Sequence, residues 1–272
     1  MGAYKGDAGE QSARDVSERL TPVGGRAVRS LRVTAPPALV GLADPLVVIL
    51  PGLGLPFYTL PMARSIVQRG LDCEVLDLPG FGSTRPRATR PNIHAIGLVA
   101  AGWVRERASG RPVVLLGHST GSQAALTAAL ALARERTSYA LVMAGPTFAP
   151  RQRRVAPLLG ATAFAYRDDS PREIDPVEMS NGRLGIALML HSGMLDAPER
   201  RIAGLRAPLT ITAGVHDSYV PTAWLDTLAT SAVAAACTRT SRLGGSHNNL
   251  FTHPHELADL LVLAAADAVA WR

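Results

Sequence analysis

Apolar and polar residues follow two different periods along this chain, and the two periods exchange in regular order. Ala27–Thr34 alternates residue by residue, as a short strand does. Leu46–Leu50 (LVVIL) is apolar without a break and stops at Pro51-Gly52, the pattern of a strand buried on both faces. Tyr58–Gln68 changes to helical spacing and ends at Gly70. A strand over Cys73–Leu78, a helix over Ile93–Ala108, a strand over Pro112–Leu116 (PVVLL) and an alanine-rich helix over Ser122–Arg134 follow. Strands over Tyr139–Ala144, Leu209–Ala213 and Cys237–Leu243 and helices over Trp224–Val233 and His255–Trp271 complete the series.

Apolar strands separated by helices predict an α/β fold, a mostly parallel sheet with helices on both faces. The alternation breaks once, between Pro146 and Pro208, where helical spacing around Leu184–Met194 accompanies the charged stretch Arg167-Asp168-Asp169. That break predicts a small helical cap over residues 147–204, inserted into a core formed by 27–146 and 205–272. Residues 1–26 are polar and read as an extension before the first strand. They hold no apolar stretch of the kind a secretory signal needs, so the expected location is cytoplasmic.

Of the 272 residues 47% are hydrophobic and 18% charged, the balance of a globular protein. The longest apolar runs, 45–55 and 260–271, fall short of the roughly 18 residues of a membrane span. The net charge is +6, with Lys5 the only lysine, so the positive charge is arginine spread along the chain. Only 5% of residues are aromatic, and no basic face with interleaved aromatics emerges, so a nucleic-acid partner is not expected. Cys73 and Cys237 are too few for a disulfide framework and lack metal-ligand spacing. Both are expected in strands as reduced core thiols, and neither a metal nor an organic cofactor is implied.

Gly117-His118-Ser119-Thr120-Gly121 carries the chemistry. A G-x-S-x-G sequence between a buried strand and a helix is the pattern of a sharp turn that lifts a serine above the strand ends. Side chains at either glycine would clash in so tight a turn. The serine then faces a helix N-terminus, whose free N–H groups favour a developing oxyanion. A serine hydroxyl needs a base to take its proton. Among the seven histidines, His247 in Gly244-Gly245-Ser246-His247 fits, because small residues let its loop approach the serine. Asp217, in Gly214-Val215-His216-Asp217, follows a strand end and is placed to orient that base. The order Ser119, Asp217, His247 along the chain agrees with this assignment. Leu50-Pro51-Gly52-Leu53-Gly54 follows another strand, and the N–H of Leu53, with that of Thr120, is the expected oxyanion pair.

These motifs together resemble the α/β-hydrolase fold superfamily over about residues 27–272. The similar features are PGLG as oxyanion loop, Asp77-Leu-Pro-Gly-Phe-Gly-Ser83 as the turn after the fourth strand, GHSTG, GVHD and GGSH. The resemblance implies an eight-stranded, mostly parallel sheet with a helical cap after strand 6. It also implies that Cys73 and Cys237 lie on well-separated strands and cannot pair. A serine at the nucleophile position argues against the dehalogenase and epoxide-hydrolase branches. Two residues depart from the common pattern: Pro51 stands where many relatives have His, and Ser122 where many have a second glycine. Asp77 and Ser83 are read as turn residues without chemistry.

The function expected is a serine hydrolase of the Ser-His-Asp kind, esterase- or thioesterase-like. It would cleave a carboxylic ester, lactone or thioester through an acyl group on Ser119. A C–C bond hydrolase or lyase with the same residues is the second reading, and a non-hydrolytic cyclase or ligand-binding receptor on the scaffold the third. The partner is a small-molecule substrate with an apolar acyl or alcohol part. Gly52, His118, Met189, His191 and Met194 are candidate substrate contacts. Two arginine groups, Arg85/Arg87/Arg90 and Arg151/Arg153/Arg154, follow strand ends; solvated loop arginines of an arginine-rich chain are the first reading, and steering of an anionic thioester carrier is the second.

Overall fold

The structure is a computed structural model and describes residues 15–34, 45–82, 88–108, 110–133, 135, 137–168 and 175–271. Eight strands form one sheet: β1 (Val16–Val23), β2 (Arg26–Val33), β3 (Leu46–Leu50), β4 (Asp72–Asp77), β5 (Val113–His118), β6 (Tyr139–Ala144), β7 (Leu209–Gly214) and β8 (Thr238–Leu243). Their spatial order is β1-β2-β4-β3-β5-β6-β7-β8. The pairs β1/β2 and β2/β4 are antiparallel and the remaining neighbours are parallel. The α/β class read from the alternation and the eight-stranded, mostly parallel sheet implied by the resemblance are therefore correct.

Residues 16–23, expected to belong to a polar extension, instead form the edge strand β1. Only Thr21 of that strand is buried, so its sequence lacks the apolar signature of the central strands. Cys237 likewise departs from expectation: it precedes β8 and is half-buried, while Cys73 is a buried residue of β4. Four strands separate β4 from β8, so the two thiols lie far apart across the sheet.

Alternation along β3 and β5 divides the core into two layers. Val48, Leu50, Val113 and Leu115 face one side of the sheet, packed with α2 (Ile93–Ala108), α3 (Thr120–Leu132) and α7 (Thr222–Ser231). Val47, Ile49, Val114 and Leu116 face the other side, against α1 (Leu60–Val67) and α9 (Pro254–Ala270). Each such side chain, once fully buried, contributes roughly 1.5–3 kcal/mol, which is why the continuous apolar runs lie at the centre of the sheet. The parallel strands all end on one edge, so the loops after β3, β5, β6, β7 and β8 meet there.

Between β6 and β7 lie α4 (Val155–Ala165), α5 (Pro176–Leu195) and the short α6 (Pro198–Arg201). The helix α5 bends at Arg183, where φ is 25° and ψ is −114°. Its N-terminal half sits on the core through two polar contacts. Glu178 Oε1 accepts the Phe57 N–H at 2.7 Å, and Asn181 donates to the Phe81 carbonyl at 3.0 Å. Phe81 belongs to the turn after β4, whose N–H groups at Phe81 and Gly82 donate to Asp77. Asp77 is in turn ion-paired with the buried Arg29 of β2. It is a structural turn residue, as its sequence context suggests; Ser83 lies outside the described residues.

Burial raises the Glu178 carboxyl to about 8, with Asp175 and Asp77 adding to the effect and the Phe57 N–H and Arg29 opposing it. Well below pH 4.5, its ordinary value, folded and unfolded chains both hold the proton and carry the same charge at this site. As pH rises toward 8 the unfolded chain has released a proton that the folded chain still holds, so stability falls across that window. Glu178→Gln keeps an acceptor for Phe57 and removes the titration. Urea unfolding should show the variant's midpoint rising relative to the parent's as pH goes from well below 4.5 to 8, because only the parent loses stability through this site.

Candidate active site

At the end of β5 the chain turns into α3 through Ser119, which has φ 55° and ψ −126°. The strain is held by two flanking bonds: Ser119 N–H donates to the Ala144 carbonyl at 2.9 Å, and Ser122 N–H to the Ser119 carbonyl at 3.0 Å. A Cβ at Gly121 would lie 2.0 Å from the Leu50 carbonyl oxygen, so only glycine lets α3 start this close to β3. Ser122, the departure from the common pattern, donates its hydroxyl to the Gly117 and Ala144 carbonyls at 2.8 and 3.1 Å. It thereby ties the turn to the ends of two strands.

Ser119 Oγ lies 2.9 Å from His247 Nε2, and His247 Nδ1 lies 2.9 Å from Asp217 Oδ2. A carboxylate only accepts, so Nδ1 carries the imidazole proton and Nε2 is left to accept from the serine. Asp217 is anchored by the Tyr219 N–H, which donates to its other oxygen at 2.9 Å. All three residues are buried, with Ser119 retaining 8% exposure and His247 1%. In this order the groups can draw the proton from Ser119 while the carboxylate stabilises the resulting imidazolium. The three residues singled out from sequence are thus brought together.

His247 is fixed by more than its two ring nitrogens. Its N–H donates to the Ala165 carbonyl at 2.8 Å, at the end of α4, and its own carbonyl accepts from His118 Nε2 at 2.9 Å. Tyr219 stands edge-on to its ring with centroids 4.7 Å apart, and Tyr166 does so at 5.6 Å. Gly145, with φ 55°, passes beneath: a Cβ there would lie 3.2 Å from His247 Cε1. That approach, in a left-handed conformation, suits glycine alone.

His118, a candidate substrate contact by sequence, has a different place. It is buried under the base, and burial and the neighbouring His247 lower its pKa to about 3, so the ring is neutral. Because its Nε2 donates to a carbonyl, its Nδ1 is bare and accepts from the Tyr58 hydroxyl at 2.6 Å. The Tyr58 oxygen in turn accepts the Gly52 N–H at 2.8 Å. A directed chain of hydrogen bonds thus runs from the β3 loop through the elbow to the base loop. Gly52 spends its N–H inside that chain and offers none to a substrate.

The remaining candidates scatter. Met189 is buried against Leu50, Pro51 and Gly121 in a narrow crevice, and Met194 is half-buried on the same core. His191 is exposed in an outer groove of about 510 Å³, with Arg90 and His94, away from the residues around Ser119. Leu53 has φ 51°, and its N–H donates to Thr120 Oγ1 at 2.7 Å, where a direct role toward an oxyanion was expected. Arg153 is ion-paired with Glu199 at 2.6 Å and lies over the Trp224 ring, so it serves packing and not steering. Arg151, Arg154 and Arg90 are exposed, and Arg85 and Arg87 lie outside the described residues. No helix among the described residues is long and apolar enough to cross a membrane.

Sequence reasoning missed Tyr58, Gly145 and Tyr219. Tyr58 and Tyr219 stand close to the PGLG and GVHD motifs, and an aromatic with a hydroxyl beside such a motif was the available signal.

The sequence profile of a family described as the alpha/beta hydrolase family matches residues 47–262. No curated protein matches the chain. Many solved structures share its fold. A proline iminopeptidase of Mycobacterium smegmatis is 15% identical, covering 93% of this chain and 99% of its own, with a TM-score of 0.68. A thermophilic esterase of Thermogutta terrifontis is 16% identical, covering 93% and 99%, with a TM-score of 0.66. An enol-lactonase of Burkholderia xenovorans LB400 is 17% identical, covering 91% and 100%, with a TM-score of 0.64. Likeness at this identity concerns the fold.

The chain from Tyr58 to His118 makes a specific demand on stability. Tyr58→Phe leaves the Gly52 N–H and His118 Nδ1 without this partner in a buried setting. The cost should be about 1–3 kcal/mol, read from urea unfolding, because a buried polar group that loses its bond keeps its desolvation penalty.

Proposed function

The chain belongs to the alpha/beta hydrolase family, and on that footing we propose that it is a serine hydrolase acting on a carboxylic ester, lactone or thioester through an acyl-Ser119 intermediate. The observation that carries this reading is the ordered pair of 2.9 Å contacts, Ser119 to His247 and His247 to Asp217, with the ring tautomer set for a base.

In the first step Ser119 Oγ attacks the carbonyl carbon while its proton passes to His247 Nε2. The carbonyl oxygen becomes an oxyanion at the N-terminus of α3, where the Thr120 N–H has no partner within the helix. Collapse of the tetrahedral species breaks the bond to the alcohol or thiol, which leaves with the proton from His247. Water then repeats the sequence against the acyl carbon, gives its proton to His247 and frees Ser119 with the acid as product. Asp217 stays ionised throughout and keeps the imidazolium in place.

Two further features support the reading. The fold neighbours named as an esterase and an enol-lactonase both cleave a bond between an acyl carbon and oxygen, the same class of step. Beside the base, Phe148, Tyr219 and Tyr166 form an edge-to-face aromatic cluster with centroids 5.8–6.2 Å apart, suited to an apolar acyl or alcohol group.

Intact-mass labelling with a fluorophosphonate tests the nucleophile. One adduct on the parent that is absent from Ser119→Ala is the expected outcome; an unlabelled parent, or equal labelling of both, defeats the proposal. Hydrolysis of short p-nitrophenyl esters should fall on the order of 10⁴-fold in Asp217→Asn, which leaves the ring in the wrong tautomer.

A further inference from the structure

Leu53, the residue positioned to give the second oxyanion N–H, has that N–H engaged by the side chain of Thr120. The contact is 2.7 Å, and Thr120 is fully buried. A threonine hydroxyl has one hydrogen and two lone pairs. The Leu53 N–H uses one lone pair, and among the described residues no acceptor takes the hydrogen.

The hydroxyl is also held in place from its other side. A Cβ at Gly193 of α5 would come within 3.0 Å of Thr120 Cγ2, so the backbone of the cap helix lies against the threonine methyl. That backbone is itself pinned, because Gln123 of α3 donates to the Gly193 carbonyl at 2.9 Å. A β-branched side chain has few χ1 states in a helix, and the methyl contact selects among them. Turning the hydroxyl away from Leu53 would drive the methyl out of its seat beneath α5.

The geometry points to the Thr120 hydroxyl as an oxyanion donor in its own right. Thr120 supplies two hydrogens, its N–H and its O–H, and the Leu53 N–H acts through the hydroxyl. Donation from Leu53 polarises the O–H and strengthens the bond it can make. The left-handed Leu53, at φ 51°, is the conformation that aims its N–H at the threonine. The inference rests on Ser119 being the nucleophile, and it makes Thr120 a catalytic residue through its side chain and not through its backbone alone.

The test compares the parent with Thr120→Ser, Thr120→Val and Thr120→Ala. Two readouts are used: the rate constant for fluorophosphonate labelling, and kcat and KM for p-nitrophenyl butyrate. Valine keeps the shape and removes the hydroxyl, and thermal melts establish that each variant is folded. Thr120→Val should lose on the order of 10² in kcat with little change in KM, as the removal of one oxyanion donor does. Thr120→Ser should retain most of the parent rate in both assays. Labelling of Thr120→Val or Thr120→Ala as fast as the parent would overturn the inference, since the hydroxyl would then only occlude the Leu53 N–H. Equal losses in folded Thr120→Ser and Thr120→Val would overturn it too, by assigning the effect to the methyl. A parent that neither labels nor turns over ester removes the nucleophile reading and this inference together, an outcome distinct from either of the others.

Discussion

His247 sits on a loop between a strand and a helix, yet its surroundings leave the ring a single orientation. Asp217 and Ser119 take its two nitrogens, the Ala165 carbonyl takes its N–H, and His118 donates to its carbonyl. Tyr219 and Gly145 pack against the ring as well. A loop residue would ordinarily sample several rotamers, and the base proposed here must not, because proton transfer needs its acceptor within hydrogen-bond reach in the correct tautomer. The constraint is met by fixing the backbone on both sides of the ring, with each bond drawn from a different element.

The sheet explains why so many elements can contribute. Strands that all point the same way deliver their following loops to one edge, so the β3, β5, β6, β7 and β8 loops lie together without long excursions. Gly121 lets α3 approach β3, and Gly145 lets the loop after β6 pass under the base. Hydrogen bonding then links the loops laterally, from Gly52 through Tyr58 and His118 to His247. His118 works in that line because burial keeps it neutral, with one nitrogen free to accept and the other to donate.

Much of this was legible in the sequence. LVVIL and PVVLL announce buried strands because residues covered on both faces have no reason to alternate. GHSTG, GVHD and GGSH announce Ser119, Asp217 and His247 because their glycines and strand ends are tied to local backbone geometry. The edge strand β1 was not legible: one of its faces meets water and only Thr21 is buried, so its residues look like those of a loop. The roles of Tyr58 and His118 were equally hidden, since each depends on a partner about 60 or 130 residues away in sequence. Leu53 shows the same limit at finer scale. Its position after β3 follows from the motif, but what its N–H meets depends on the side chain of Thr120, which lies against Gly193 of α5.

The bond from the His247 N–H to the Ala165 carbonyl joins the loop that carries His247 to the end of α4, a helix between β6 and β7. That bond is one of the two backbone anchors of the imidazole, the other being the His247 carbonyl that accepts from His118. The end of α4 and the His247 loop are therefore one packing unit, so a substitution that shifts α4 is felt at the imidazole even where it touches none of the residues bonded to the ring.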